Sequence, residues 1–353
     1  MLQTITKRRI VVADDSRLMR RMLSDALAKQ GFDIVATAAD GDEALAACNE
    51  HRPDALTLDL AMPGMDGIGV LRALRAGKAQ PVPVVVVSAF SPAHGARAVD
   101  ALAEGAFDLV PKPAFGEGLE SFTAELGRKV HEAAHSGRVR RPAATLAPRR
   151  PGRTHSTPVA PRPVAVGKRL VVIACSTGGP KALGELIPQL PSPLGAGLVI
   201  VQHMPPGFTA SLAARLDASS PLTVSEVAGG ETLAPGSALL APGGAHLRLT
   251  ADRHALLSDD APVGGLKPRA DFTIEDAAKH WGSRMVLVVL TGMGRDGLEG
   301  AKAVKAAGGR VLVEAESTCT VYGMPRAVAE AGLADEILPL DELAHAIARE
   351  AGR

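Results

Sequence analysis

Serine, histidine and aspartate, the side chains that cooperate in nucleophilic acyl hydrolysis, each follow an apolar run in the second half of this sequence. Ser176 comes after LVVIAC, His203 after LVIVQ, and Asp296 lies in TGMGRDG after MVLVVL. A serine hydroxyl attacks an acyl carbon effectively only when a base takes its proton, and an acid that holds the base in one tautomer completes the unit. Thr177, Gly178, Gly179 and Pro180 read as a sharp strand-to-helix turn that leaves the hydroxyl beside backbone N–H groups. Such a turn suits an oxyanion, and it would equally cradle a phosphate. A histidine after a strand is by itself more often structural. Its place at the carboxyl end of the neighbouring strand is what makes His203 a candidate base for Ser176.

The first half carries a different constellation. Asp14 and Asp15 follow a short apolar run, and Asp59 ends another. Carboxylates that converge repel one another, and a hard cation with oxygen ligands, Mg²⁺ in a cell, relieves the repulsion. Ser88 closes VVVVS with a hydroxyl, and Lys112 in PKP offers a point charge for a phosphoryl oxygen.

Strand-forming runs must deliver these groups. Residues 10–13, 34–38, 55–58, 84–87 and 107–110 are short and apolar, and helical patterns such as 16–30 separate them. Strands apolar on both faces predict a parallel sheet covered on both sides, hence a doubly wound α/β domain whose strand ends share one crevice. From 136 to 169 the sequence is rich in Pro, Arg and Ala without one Asp or Glu, which predicts a mobile tether, with a basic arm for an anionic surface as the alternative. The same rhythm then returns in LVVIA, LVIVQ, MVLVVL and RVLVE, while 237–260 shows short strands with Gly/Pro turns, predicting an added antiparallel hairpin. The reading is α/β throughout, with two doubly wound parallel-sheet domains: a flavodoxin-like one over 1–125, a helix end and flexible linker over 126–167, and a Rossmann-like hydrolase over 168–353.

Composition narrows the class. At 353 residues the chain exceeds one ordinary core, and a net charge of +1 with 3% aromatics gives neither the field nor the stacking platforms that nucleic acid requires. Cys48, Cys175 and Cys319 are far apart, with no C-x-x-C pair, and fit a reducing compartment. No run reaches the roughly 18 apolar residues of a membrane span, and the N-terminus has no apolar signal core, so a cytoplasmic protein is expected.

Two sets of motifs carry a resemblance. VVADDS, DLAMPGMDG, VVVVSAFS and GAFDLVPKP resemble the response-regulator receiver family over about the first 125 residues. ACSTGGP, VQHMPPGFT, LLAPGGAHL, LTGMGRDG and VYGMPRAV are similar to the catalytic domain of the chemotaxis protein-glutamate methylesterases. The first resemblance implies that Asp59 accepts a phosphoryl group from a histidine kinase, with Asp14, Asp15 and the Ala61 carbonyl helping to hold Mg²⁺, and that Ser88, Lys112 and Phe107 register the new charge. The second implies hydrolysis of methyl glutamate esters on chemoreceptors, with methanol released, and deamidation of receptor glutamines. Ser176 would attack, His203 would carry the proton and Asp296 would orient it. The Thr177 and Met293 amides would form the oxyanion hole, and no cofactor is implied in that domain. The chain departs from the family at Ala174, usually glycine and expected to tighten the turn, and at Arg269 and Ala270, often serine-valine, where Arg269 is expected to alter substrate contacts.

Other readings compete. Gly292, Gly294 and Gly297 spell G-x-G-x-x-G before a helix, with Glu314 near the place of a ribose-binding acid, but Asp296 would set a negative charge where pyrophosphate docks. His131 and His135 match H-E-x-x-H, beside the linker and without an enclosed third ligand. Cys175 is a rival nucleophile, with a side chain expected to point into the core. A non-enzymatic regulator whose second domain binds DNA or protein is a further class, disfavoured because that domain is large, sheet-based and without a basic recognition helix.

Overall fold

A computed structural model of the chain describes residues 7–77, 82–89, 92–113, 119–136 and 169–352. The first sheet contains β1 (Arg9–Ala13), β2 (Asp33–Ala38), β3 (Ala55–Leu58), β4 (Val84–Ser88) and β5 (Asp108–Pro111) in the order β2-β1-β3-β4-β5, all parallel. Alternate side chains go to opposite faces, as the two-residue period of a strand requires. Val11, Leu56 and Val86 pack towards α2 (Gly41–His51), α3 (Gly67–Ala76) and α4 (Pro92–Ala103), whereas Ile10, Val12 and Val85 pack towards α1 (Arg17–Lys29) and α5 (Leu119–Ser136). The order of the strands reverses between β1 and β3, so the loops that carry Asp14 and Asp59 open on one crevice. Helix α5 runs on to Ser136, inside the segment read as a helix end and linker over 126–167, and residues 137–168 lie outside the described residues.

The second sheet has the parallel order β15-β14-β13-β6-β7-β10-β8. Its strands are β6 (Leu170–Cys175), β7 (Leu198–Gln202), β8 (Thr223–Glu226), β10 (Ser237–Leu240), β13 (Met285–Val289), β14 (Arg310–Glu314) and β15 (Glu336–Leu338). Val171, Ile173 and Cys175 face α6 (Gly179–Leu186), α7 (Phe208–Ser219) and α11 (Leu340–Ala351); Leu170, Val172 and Ala174 face α8 (Ala270–Trp281), α9 (Leu298–Ala306) and α10 (Met324–Glu330). The chain leaves β6 first for β7 on one side and later for β13 on the other, which makes the ends of β6, β7 and β13 the switch point.

The expected hairpin is shorter than 237–260. Ser237–Leu240 is a parallel strand of the main sheet, and only β11 (His246–Leu249) and β12 (His254–Ser258) form the antiparallel pair, with β9 (Glu231–Thr232) as a third strand. A four-residue strand between turns shows too little pattern to declare its partner. Strands β8 and β15 were not anticipated because they lie at sheet edges, where burial falls on only part of the strand. One apolar cluster continues from beneath the first sheet through α4 to α6 and α7, so the two sheets share packed surface.

Candidate active site

Strand β6 ends at Cys175, and Gly178 in the left-handed region (φ 81°) turns the chain into α6. Ser176 sits in this turn, and its N–H donates to the Thr291 carbonyl at 3.0 Å. The loop after β13 thus passes against the serine. A β-carbon at Gly292 would lie 2.8 Å from Ser176 Cβ, so only glycine permits this approach.

His203 follows β7, with its N–H donating to the Cys175 carbonyl at 3.1 Å. The Gln202 side-chain amide donates to the carbonyls of both Ser176 (3.0 Å) and His203 (2.9 Å), locking the two loops side by side. His203 Nε2 lies 2.7 Å from Asp296 Oδ2, while Nδ1 is buried without a hydrogen-bond partner. A carboxylate there fixes the proton on Nε2 and leaves Nδ1 as the basic nitrogen.

Asp296 is nearly fully buried and collects donors from the start of α8, Ala270 N–H at 2.6 Å and Asp271 N–H at 3.0 Å. Burial alone would raise its carboxyl, but His203 and these amides outweigh burial and hold it far below the usual carboxylate range. The adjacent Asp271 shows the opposite balance: burial first, then the charge of Asp296, push it up to about 6.

The structure pairs His203 with Asp296 and sets the Ser176 loop beside the His203 loop, without a hydrogen bond from the serine to Nδ1, and it bears on several neighbouring expectations. Ala174 does not tighten the serine's turn; it is a fully buried strand residue in the core. Arg269 is half-buried: its Nη2 donates to Asp271 Oδ2 at 2.8 Å, its Nε lies 3.7 Å from Asp296 Oδ1, and its Nη1 donates to the exposed Val263 carbonyl at 3.3 Å. The Cys175 thiol is fully buried, donates to Gln202 Oε1 at 3.1 Å, and is pushed well above its usual range by burial. A dinucleotide has no place at the G-x-G-x-x-G turn, since Asp271 Oδ1 already accepts the Gly297 and Gly300 N–H groups at 2.8 and 2.9 Å. Glu314 is likewise enclosed, accepting the Thr291 N–H at 2.8 Å. His131 and His135 are exposed on α5, and His135 Nδ1 contacts the His131 carbonyl at 2.7 Å.

Sequence reasoning missed Gln202, Asp271 and Glu314 as parts of this site. Asp271 left one usable signal, an acid in the first turn of a helix; Gln202 and Glu314 end apolar strands, where a polar residue invites the question of what it bonds.

In the first sheet, ligand atoms of Asp14, Asp15 and Asp59 lie within 4.8 Å of one another. Lys112 Nζ stands 2.8 Å from Asp14 Oδ2 and 2.7 Å from Asp59 Oδ2. Burial works to lower the Lys112 ammonium, but the two carboxylates outweigh it and raise it; Asp14 is raised, chiefly by burial. Ser88 Oγ is buried without a partner, and Phe107 is buried just before β5. Three oxygen donors with an unused hydroxyl and an ammonium fit a hard cation beside an anionic group.

The two constellations meet. Thr177 Oγ1 donates to Asp108 Oδ2 of β5 at 2.5 Å, and Arg128 Nη1 of α5 lies 3.3 Å from Met293 Sδ. Asp108 Oδ1 is itself held by the buried Lys129 ammonium at 3.1 Å. Further out, α4 packs on α7, with Asp100 and Arg215 paired across the seam.

Residues 171–347 match the CheB methylesterase family, and residues 10–122 match the response regulator receiver domain. The chain is 43% identical to the protein-glutamate methylesterase/protein-glutamine glutaminase of Symbiobacterium thermophilum over 98% of this chain and 97% of that one. It is 45% identical to the protein-glutamate methylesterase/protein-glutamine glutaminase 5 of Myxococcus xanthus over 94% and 95%. The crystal structure of the Thermotoga maritima CheB methylesterase catalytic domain superposes with a TM-score of 0.50 at 45% identity, covering 52% of this chain and 99% of that domain.

Proposed function

The chain belongs to the CheB methylesterase family and carries a response-regulator receiver ahead of the catalytic region, and from that membership we infer that Ser176, His203 and Asp296 perform its hydrolysis. It is a receiver-controlled protein-glutamate methylesterase and protein-glutamine glutaminase of chemotaxis adaptation. Its substrates are methyl glutamate esters on chemoreceptors.

The observation that carries the site assignment is the His203 ring, bonded to Asp296 through Nε2 and unpartnered at Nδ1. Ser176 Oγ attacks the ester carbonyl carbon as Nδ1 takes the hydroxyl proton, and Asp296 stabilises the imidazolium that forms. The tetrahedral oxyanion sits against the Thr177 and Met293 amides. Its collapse breaks the bond to methoxide, which leaves as methanol with the proton from Nδ1. Water then attacks the acyl-serine, giving up a proton to Nδ1, and collapse returns that proton to Ser176 Oγ and frees glutamate. With a glutamine substrate the first leaving group is ammonia.

Asp59 is the phosphoryl acceptor in this reading, and a cytoplasmic chemotaxis histidine kinase is the donor. Asp14, Asp15 and Asp59 hold Mg²⁺, which when bound screens the charge on the incoming phosphoryl oxygens. Ser88 and Lys112 bind the phosphoryl oxygens and Phe107 moves with Ser88. The receiver body extends through Ser136, residues 137–167 tether it, and 168–353 form the catalytic domain. Unphosphorylated, the receiver occludes the site, as the contacts of Asp108 with Thr177 and of Arg128 with Met293 suggest. Both residues of the oxyanion hole are thereby touched from the receiver side. Phosphorylation at Asp59 withdraws Lys112 from its present pairs, and Lys112 directly follows β5, the strand that bears Asp108.

The direct test is methanol release from methylated receptor fragments, with and without acetyl phosphate and Mg²⁺. Release that rises with the phosphodonor is expected; a folded protein that releases none refutes the reading. No helix among the described residues is long and apolar enough to cross a membrane.

A further inference from the structure

Helices α8 and α9 both begin without a cap of their own. Arg269 precedes the first and Gly297 the second, and neither supplies a side-chain cap. The first N–H groups of a helix need acceptors, and a buried start without them is costly. Most of the acceptors come from across the pair, although Asp296 Oδ1 also takes the adjacent Gly297 N–H at 3.1 Å. Asp296, at the threshold of α9, accepts the Ala270 and Asp271 N–H groups of α8, while Asp271, in the first turn of α8, accepts the Gly297 and Gly300 N–H groups of α9.

Such an exchange puts two buried carboxylates side by side, only 2% and 4% exposed. Arg269 is the cation that makes it tenable, with Nη2 on Asp271 Oδ2 and Nε facing Asp296 Oδ1. Its backbone is pinned in turn: the Arg269 N–H donates to His246 Nδ1 at 3.1 Å, and the buried His246 contacts the Ala261 carbonyl through Nε2 at 3.2 Å. The charged and titratable groups that face the pair are therefore Arg269 and, on the far side of Asp296, His203, with His246 behind the Arg269 backbone.

We propose that Asp271 and Arg269 are positioning residues of this hydrolase, which hold Asp296 against His203 Nε2 by exchanging helix caps and so keep Nδ1 in place for Ser176. The proposal rests on the assignment of Ser176, His203 and Asp296 as the catalytic unit. Neither Asp271 nor Arg269 touches substrate in this scheme. Their loss lets the orienting carboxylate drift, which lowers turnover and leaves binding alone.

The test uses the full chain, activated with acetyl phosphate and Mg²⁺, on methylated receptor fragments, with the folded fraction measured for every variant. Asp271→Ala is expected to lower kcat about tenfold to a hundredfold, with KM within about twofold, as for a displaced catalytic group. Asp271→Asn keeps an amide oxygen for the α9 N–H groups and should recover most of that loss. The acid limb of the kcat profile supplies a readout that simple loosening would not give. Removing the cation in Arg269→Met moves the limb to higher pH, whereas Asp271→Asn, which resembles the protonated carboxyl that prevails below about pH 6, leaves it in place. Unchanged kcat in folded Asp271→Ala, or an acid limb that does not move to higher pH in Arg269→Met, overturns the proposal. Ser176→Ala run in parallel separates the two failures: if it stays active, the catalytic assignment itself is wrong, and if it is dead while Asp271→Ala is normal, only the positioning role is lost.

Discussion

His203 meets Asp296 through Nε2, at 2.7 Å, and keeps Nδ1 buried without a partner. In the chymotrypsin arrangement the two nitrogens have the reverse duties, Nδ1 towards the acid and Nε2 towards the serine. Either nitrogen serves, provided the acid fixes the tautomer and the other lone pair faces the hydroxyl. In the proposed mechanism the three residues act as one unit. Ser176→Ala and His203→Ala are each expected to cut methanol release by several powers of ten, with the double variant little slower than either. Strictly additive losses, or an active folded Ser176→Ala, would remove Ser176 from the mechanism.

Thr177 Oγ1 donates to Asp108 Oδ2 at 2.5 Å, and Asp108 lies on β5, the strand followed by Lys112, which pairs with Asp59. Asp108→Ala is expected to raise the activity of the unphosphorylated chain and to narrow the response to acetyl phosphate. Domain couplings are worth about 1–3 kcal/mol, so the full range to be divided between basal and activated states is roughly 5- to 150-fold. The fragment 168–353 should match the activated chain and ignore the phosphodonor. A fragment no faster than the unphosphorylated parent would dismiss occlusion, leaving phosphorylation to act by recruiting substrate.

Asp59 is paired with Lys112 and lies in the acidic crevice with Asp14 and Asp15. Asp59→Asn should abolish stable labelling by a phosphodonor and leave the basal methylesterase rate of the same preparation unchanged. Labelling that persists in the variant would transfer the acceptor role to another residue.

Asp271 also predicts a pH dependence of stability. Its carboxyl is raised to about 6 in the folded chain, by burial and by Asp296, so the folded state holds that proton more tightly than the unfolded one. The stabilisation this gives is complete below the unfolded value of about 3.9 and is lost as pH rises through the folded one. The amide introduced by Asp271→Asn has no such proton to lose. The Tm of that variant relative to the parent should therefore become more favourable as pH rises from about 4.5 to about 7.5, and a pH-independent difference would show that Asp271 keeps an ordinary carboxyl.

What the sequence settled by itself is what periodicity and strand-end chemistry encode. Continuous apolar runs such as LVVIAC and VVVVS declare strands buried on both faces, and polar residues just beyond them, Ser176, His203, Asp14 and Asp59, fall at one end of a parallel sheet by topology alone. The tertiary structure decided the rest, because it concerns atoms brought together from separate elements. Ser237–Leu240 joined the main sheet since a partner strand, and no local pattern, fixes its pairing. That Arg269 stands between two buried carboxylates, one in the first turn of α8 and one just before α9, is a meeting of separate segments that no local pattern announces. Which imidazole nitrogen faces Asp296, and that Asp108 reaches Thr177, follow from the angles at which packed helices and sheets meet. A one-dimensional pattern carries no record of those angles.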